Sequence, residues 1–173
     1  MLSRVIPTWV KVAGAALVGG AALLIGKRAT TPENPRIRVV KAAASQLGVQ
    51  DANKYWAIVN PGLVGSGKAW CGGFALWALK QAGLAPNASW HTNANNEGYG
   101  FAEVYRLPRT HSPLPGDIAY YDQPYQHHAI VTANDGLTVS TIDGNQAGNT
   151  VAVRSRPLSS ATAYYSIQPF ITS

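Results

Sequence analysis

The pattern of apolar and polar positions predicts helices in the first half of the chain and short strands in the second. Asn34-Pro35 is typical of a helix start, with Asn as the cap and Pro at the first helical position. Apolar residues then recur at helical spacing. A further helix is predicted over 70–81, and the Asn-, Gly- and Pro-rich stretch 84–115 is predicted to be mostly irregular.

After Pro115-Gly116 the pattern changes to short runs of β-forming residues. The predicted strands are 117–121, 128–133, 137–142, 150–155 and 164–170. Turn signals such as Asn134-Asp135-Gly136 separate them. Helices followed by a meander of strands predict an α+β domain, in which N-terminal helices pack on an antiparallel sheet of about five strands.

An uncharged stretch at 12–26 precedes this domain, and nine of its 15 residues are Gly or Ala. A transmembrane helix needs about 20 apolar residues, so residues from Val5 onward would have to contribute. The stretch also has the length of the hydrophobic region of a secretory signal peptide. Because no small-x-small cleavage site precedes Lys27-Arg28, we expect an uncleaved anchor that contacts the membrane through residues 5–26.

These features divide the chain into three parts. Residues 1–28 are predicted to be a hydrophobic membrane or signal-anchor segment. Residues 29–35 form a polar, proline-containing linker, and residues 36–173 form the folded domain.

The positive charge of the chain is concentrated in one region. Residues 1–41 contain seven basic residues and one acidic residue, whereas residues 42–173 contain seven of each, so the whole excess of +6 lies in the first 41 residues. A nucleic-acid-binding domain would carry a basic face, and a neutral domain therefore argues against that class. Basic residues around an apolar stretch indicate attraction to anionic lipid, although a solvated basic tail would have the same composition.

The chain contains one cysteine, Cys71, and it lies in the first turn of the helix predicted over 70–81. Unpaired amide groups and the positive end of a helix lower the pKa of a thiol and stabilise an oxyanion. Gly72 and Gly73 follow directly and are expected to leave the thiol uncrowded. The alternative is a buried structural cysteine, since a lone Cys often behaves as a small apolar residue.

Histidines and polar acceptors complete a possible thiol hydrolase site. Such a site needs a thiolate, a base and a group that orients the imidazole. His127 and His128 begin a predicted strand and point to opposite faces, so either one is a candidate base. Asp143 and Asn145 end the next strand and are expected to share a face, because they are two residues apart. Either one is a candidate to accept the imidazole N–H.

Three motifs together carry a family resemblance. They are WCGGFALWALKQAG (70–83), LPGDIAYYD (114–122) and HHAIVTANDGLTVSTIDGNQAG (127–148). From about Ala42 to Ile167 the chain resembles the CHAP and NlpC-type papain-like cysteine peptidoglycan hydrolases, especially their phage-borne members. The resemblance implies a papain-like α+β fold and hydrolysis without a metal or other cofactor.

The same resemblance assigns the candidate catalytic residues. Cys71 takes the position of the nucleophile. Ala129 stands where the family has a glycine, so the catalytic base falls on His127 and His128 takes the position of a core valine. Asp143 and Asn145, which lie 16 and 18 residues after His127, remain alternatives for the orienting group.

Three further residues are expected to contact substrate. Ser89-Trp90 resembles a Ser-Trp pair that lines the site in some phage members, and Trp70 directly precedes the nucleophile. His91 and His111 lie in predicted loops without metal-ligand spacing, so no metal site is expected.

The function that the resemblance implies is peptidoglycan hydrolysis, by a cell-wall endopeptidase or an N-acetylmuramoyl-alanine amidase. We expect a phage lysin, either an endolysin or a virion-associated enzyme, located at the membrane, in the periplasm or cell envelope of a bacterial host, or in the virion. Two other classes fit the same residues. One is a catalytically degenerate papain-like domain that binds cell wall or stiffens a membrane or virion assembly, and the other is a protein-directed thiol protease or acyltransferase.

Overall fold

A computed structural model describes residues 32–90, 101, 105–146 and 148–173. Residues Pro32–Ser173 form one compact unit. The predicted anchor, residues 1–28, and the first part of the linker lie outside the described residues. Within the described ranges, no helix combines the length and the apolar character that crossing a membrane requires.

Four α-helices and five strands make up the described part of the domain. In chain order they are α1 (Pro35–Ala44), α2 (Ala52–Val59), α3 (Cys71–Gln81), β1 (Ile118–Tyr121), β2 (His127–Asn134), β3 (Thr138–Gln146), β4 (Thr150–Pro157), β5 (Ala163–Tyr165) and α4 (Gln168–Thr172). Short 3-10 helices lie at Pro61–Leu63 and Leu158–Ser160.

The strands form one antiparallel sheet in the order β4-β3-β2-β1-β5. One face carries Tyr120, Ile130 and Ile142, which belong to the main apolar cluster together with α3. The other face carries a smaller cluster that includes Tyr121 and Ala129. Helices packed on a five-stranded antiparallel sheet confirm the predicted α+β class.

The start of α1 follows the prediction, since the Asn34 Oδ1 accepts a hydrogen bond from the Arg36 N–H at 2.9 Å. A buried ion pair then ties this helix to the sheet. Arg36 Nη1 lies 2.6 Å from Asp117 Oδ1. The Asp117 carboxylate also accepts the N–H groups of Leu114 and Ile167, at 2.8 and 3.0 Å. One acidic side chain therefore connects α1, the entry to β1 and the chain after β5.

The last predicted strand is wrong in its second half. The prediction covered 164–170, but β5 ends at Tyr165 and α4 begins at Gln168. Pro169 lies in the first turn of α4, where its missing N–H and fixed φ suit a helix start better than a strand. Helix α2 was not predicted at all, although Asp51 caps it by accepting the Asn53 N–H at 3.0 Å.

Strand β3 is longer than predicted, and this changes the environment of the two candidate acceptors. The prediction ended the strand at residue 142, whereas β3 continues to Gln146. Its pairing with β4 is irregular between Asp143 and Gln146, and Asn145 has a positive φ of 59°. Strict alternation is broken there, so the expectation that Asp143 and Asn145 share a face does not hold.

Helix α3 approaches the sheet closely at Gly144. A Cβ atom at this glycine would lie 2.7 Å from the Cβ of Phe74 and 2.8 Å from the Trp70 ring. Both aromatic residues are buried. A residue without a side chain is therefore required where β3 passes under the start of α3.

Replacing Gly144 with Ala should destabilise the domain because the added methyl overlaps two buried rings that have little room to move. We expect the free energy of unfolding to fall by about 1–3 kcal/mol, measured by thermal or urea denaturation. Gly62→Ala is the matched control, since its added Cβ would meet only the Asn60 side chain, at 3.3 Å, on the surface. Equal stability of the two variants would contradict this explanation.

Candidate active site

Cys71 is the first residue of α3 and is preceded by Trp70 as the N-cap residue. Its side chain is buried, with 7% exposure. The intrahelical ladder begins one turn later, where the Phe74 N–H bonds the Trp70 carbonyl at 2.8 Å. The sulfur therefore lies beside the first turn of the helix, where the N–H groups make no hydrogen bond within the helix. Their positive potential favours a thiolate.

The two glycines after Cys71 make room for tryptophans. A Cβ at Gly72 would lie 2.3 Å from the Trp90 ring, and one at Gly73 would lie 2.5 Å from the Trp56 ring. Both overlaps are far inside van der Waals contact. These contacts explain the glycine pair by close packing of indoles on the helix, which differs from the expectation of an uncrowded thiol.

His127 is the first residue of β2, and its ring is held by a carboxylate. The Nε2 atom lies 3.0 Å from Asp143 Oδ2. Since Nε2 is engaged by Asp143, Nδ1 is the ring nitrogen left to serve the thiol, and His127 and Cys71 interact as hydrogen-bond partners. Cysteine, imidazole and carboxylate thus form a continuous chain of contacts from α3 through β2 to β3.

Cys71 and His127 shift each other's pKa. Burial alone would raise the pKa of the Cys71 thiol, but hydrogen bonds and charge interactions with His127 and His128 outweigh burial and lower the pKa to about 5. Burial alone would lower the pKa of His127, but its interactions with Asp143 and Cys71 raise the pKa to about 9. Between these two values the pair is a thiolate and an imidazolium.

Asp143 is fully buried and is held by several donors. The Thr141 hydroxyl donates to Oδ1 at 2.5 Å, and Arg156 Nη2 donates to Oδ2 at 2.6 Å. Burial alone would raise the pKa of Asp143, but hydrogen bonds from His127, Arg156 and Thr141 hold the pKa below its usual range. The carboxylate is therefore ionised and fixed in position beside the imidazole.

Of the two predicted acceptors, Asp143 contacts the imidazole and Asn145 does not. No hydrogen bond joins Asn145 to His127 among the described residues. Gln146 lies closer to the ring: its Nε2 is 3.0 Å from His127 Nε2 and 3.3 Å from Asp143 Oδ2, and its Oε1 accepts from Arg154 Nε at 3.1 Å. Asp143 is thus the residue placed to orient the ring, with the Gln146 amide beside it.

His128 is also close to the thiol, from the opposite face of β2. It is 1% exposed, and its ring lies between those of Trp90, Phe101 and Tyr120, with centroid distances of 5.5, 5.4 and 5.1 Å. Its Nε2 is buried without a hydrogen-bond partner in the described part of the chain. His128 makes no contact with Asp143, so only His127 combines a thiol neighbour with a carboxylate.

The three residues expected to bind substrate lie in different environments. Trp70 and Trp90 are each only 3% exposed. Trp70 stacks on Tyr55 with ring centroids 5.2 Å apart, and Trp90 packs on Gly72. Ser89 is exposed, and its carbonyl accepts a hydrogen bond from the Tyr105 hydroxyl. The tryptophans therefore form the packed base of the site rather than an open binding wall.

Two clefts border the residues that directly precede Cys71. One, of about 600 Å³, is lined by His127, Ala69, Arg156 and the loop between β1 and β2. The other, of about 350 Å³, is lined by the start of α2, the loop at 65–68 and Trp70. Asn145 lines both clefts. An extended ligand crossing from one cleft to the other would pass over the segment that leads into Cys71.

One of the comparisons with known proteins gives a family match. Residues 63–145 match the family model described as the CHAP domain. This segment, 83 of the 173 residues, is similar to the CHAP family. No curated protein and no solved structure matches the chain.

CHAP domains are usually cysteine hydrolases or amidases of the cell wall, and the match supports a peptidoglycan-hydrolase type of function with peptidoglycan as the substrate. The matched segment includes the cysteine, both histidines and the acidic acceptor. Within the described part of the chain, no three His, Cys, Asp or Glu side chains are grouped so that they could hold a metal ion. His91 lies outside the described residues.

Three residues of the site were not predicted. They are Thr141, Gln146 and Arg156, all of which contact the Asp143 carboxylate. Thr141 could have been found from alternation, since it precedes Asp143 by two residues on the same strand. Arg156 lies on the neighbouring strand 13 residues away, and only the β3–β4 register brings it to the site.

The pKa of Cys71 gives a test of the site that needs no substrate. We expect alkylation by iodoacetamide, followed by mass spectrometry, to be half-maximal near pH 5 and close to its maximum at pH 7. His127→Ala should move the half-maximum toward the ordinary thiol value, about 8.5, because the thiolate loses its imidazolium partner. His128→Ala should move it less, and His111→Ala, which changes an exposed histidine, should not move it.

Two results would contradict this assignment. Alkylation of the wild-type protein that begins only above pH 8 would mean that the thiol is not activated. A larger shift for His128→Ala than for His127→Ala would transfer the role of base to His128.

Proposed function

We propose that this protein is a peptidoglycan hydrolase that cleaves a peptide or amide bond of the bacterial cell wall by thiol chemistry. The observation that carries the proposal is the chain of contacts from Cys71 through His127 to Asp143, with the 3.0 Å bond between the last two. Nucleophile, proton carrier and orienting carboxylate are in mutual contact, which a purely structural role would not require.

In the first half of the proposed reaction the Cys71 thiolate attacks the carbonyl carbon of the scissile bond. The oxyanion that forms is stabilised by the backbone N–H of Cys71 at the start of α3. The C–N bond then breaks, and the His127 imidazolium gives its proton to the leaving amine. The products of this half are a free amine and a thioester on Cys71.

In the second half water hydrolyses the thioester. His127, now neutral, takes a proton from the water as it attacks the carbonyl carbon. The C–S bond breaks, the carboxylic acid leaves and the thiolate and imidazolium are restored. Asp143 remains ionised throughout, because it accepts hydrogen bonds from Arg156 and Thr141 as well as from the ring.

The two clefts that border the residues preceding Cys71 support a direction for the substrate. His127 lines the larger cleft, and the leaving amine must lie where His127 can protonate it. The amine side of the substrate therefore occupies the larger cleft and the acyl side occupies the cleft at the start of α2. The scissile bond is a stem-peptide bond or the amide between N-acetylmuramic acid and alanine.

Replacing Cys71 with Ala should abolish hydrolysis of purified cell walls, with a loss on the order of 10⁴-fold or more, because the attacking atom is removed. The measurement is muropeptide mass spectrometry after digestion, which also identifies the bond that is cut. Circular dichroism and the melting temperature check that the variant folds, and His111→Ala serves as an active control.

Two outcomes would contradict the proposed function. Undiminished release of muropeptides by Cys71→Ala would exclude the thiol as nucleophile. Wild-type protein that binds walls but releases no new muropeptides would favour the degenerate, wall-binding alternative.

We further propose that the protein is a phage lysin that associates with the host membrane through residues 5–26. The support is the composition of 12–26, an uncharged Gly- and Ala-rich stretch with basic residues on both sides. So weakly apolar a segment would hold the bilayer loosely and allow release.

Cell fractionation tests this localisation. We expect the full-length protein in the membrane fraction of the bacterial host before depolarisation and partly in the soluble fraction afterwards. A variant lacking residues 5–26 should be soluble under both conditions. Full-length protein found only in the soluble fraction throughout would exclude membrane association, and its presence in purified virions would favour the virion-associated enzyme.

A further inference from the structure

The candidate active site contains an unbalanced charge if only Cys71, His127 and Asp143 are counted. In the active state Cys71 is negative, His127 is positive and Asp143 is negative, so the set carries a net charge of −1. Asp143 is fully buried, and the side chain of His127 is 15% exposed. A net charge in such an environment is poorly solvated and favours protonation of one of the anions.

Arg156 of β4 supplies the missing positive charge. Its Nη2 lies 2.6 Å from Asp143 Oδ2, and its Nη1 lies 3.0 Å from the Thr141 hydroxyl oxygen. That hydroxyl in turn donates to the other carboxylate oxygen, Oδ1. Arg156 therefore holds one oxygen of Asp143 directly and the other through Thr141.

The position of Arg156 is itself well defined. Its guanidinium lies over the Tyr121 ring, 4.8 Å from the centroid, and its side chain is 24% exposed. It also lines the larger cleft together with His127. Arg154, two residues away on the same strand, is exposed, and its Nε donates to the Gln146 amide oxygen.

The other titratable groups around Asp143 do not replace this charge. Tyr121 of β1 faces it, and burial raises the pKa of that phenol to about 12, so the ring stays neutral at working pH. Tyr164 of β5 lies near the guanidinium, and burial raises its pKa as well. The remaining charged partners are His127 of β2 and, through it, Cys71 of α3.

We propose that Arg156 is a positioning residue whose charge makes the set of Cys71, His127, Asp143 and Arg156 neutral and keeps Asp143 ionised and oriented. It lies outside residues 63–145, the segment that matches the CHAP family model. The part of this inference that concerns catalysis rests on the proposed function. The part that concerns the state of the thiol does not.

The test compares three variants by the pH profile of Cys71 alkylation and by wall hydrolysis. Arg156→Gln keeps a hydrogen-bond donor but removes the charge. We expect it to move the acidic limb of both profiles upward by about one pH unit, since Asp143 and Cys71 both lose a positive neighbour. At a fixed pH below the acidic limb, a shift of the limb by one pH unit lowers the rate about tenfold.

Arg156→Lys keeps the charge but loses the planar pair of donors. It should leave the acidic limb close to that of the wild type while lowering the maximal hydrolysis rate. Arg109→Gln is the control and should change neither profile, because Arg109 is exposed and, among the described residues, contacts neither Asp143 nor Gln146.

Arg156→Gln with a lower rate but an unshifted acidic limb would overturn the proposal and leave Arg156 with a structural role. Should that variant not fold, Arg156→Lys decides, and a limb shifted by a full unit there would also overturn it. A shifted alkylation limb in a protein inactive on cell walls would refute the proposed function and leave the inference standing. Hydrolysis of cell walls by the wild-type protein, together with an unshifted alkylation limb in Arg156→Gln, would refute the inference and leave the proposed function standing.

Discussion

The close contact between the first turn of α3 and β3 is the constraint on which the rest of the structure depends. Gly144 lies against Phe74 and Trp70 at distances that no side chain would permit. On the other sides of the same turn, Gly72 and Gly73 lie equally close to Trp90 and Trp56. Gly144 thus lets the helix end that carries the sulfur pack tightly against the sheet, and Gly72 and Gly73 let two buried indoles pack against the same helix end.

This packing decides the electrostatics of the site. A thiol so well buried would ordinarily remain protonated, and a carboxylate without exposure would do the same. Both are ionised because each has a cation in direct contact, and His127 is shared between them. As long as every charged group keeps its partner, burial strengthens the ion pairs of the site. It does not cause the thiolate and the carboxylate to take up protons.

The local signals were sufficient to predict the helix carrying Cys71, the α+β class and the strand that begins with His127. The same signals did not predict side-chain positions that depend on contacts between strands. Strand alternation predicted Asp143 and Asn145 on one face. The pairing of β3 with β4 is irregular there, and of these two residues Asp143 is the one that contacts His127. Arg156 carries no local signal, because a charged residue on a strand is usually a solvated one, and only the strand register reveals its contact with Asp143.

The strand order has a consequence for how this domain is delimited. The segment that matches the CHAP family model ends at residue 145, within β3, whereas β4 covers one side of that strand and β5 lies at the far edge beyond β1. A fragment cut at the limits of the match would expose the hydrogen-bonding groups of β3 along its length and strip the buried carboxylate of its guanidinium. The matched segment and the smallest stretch of chain that can form this site therefore differ in length.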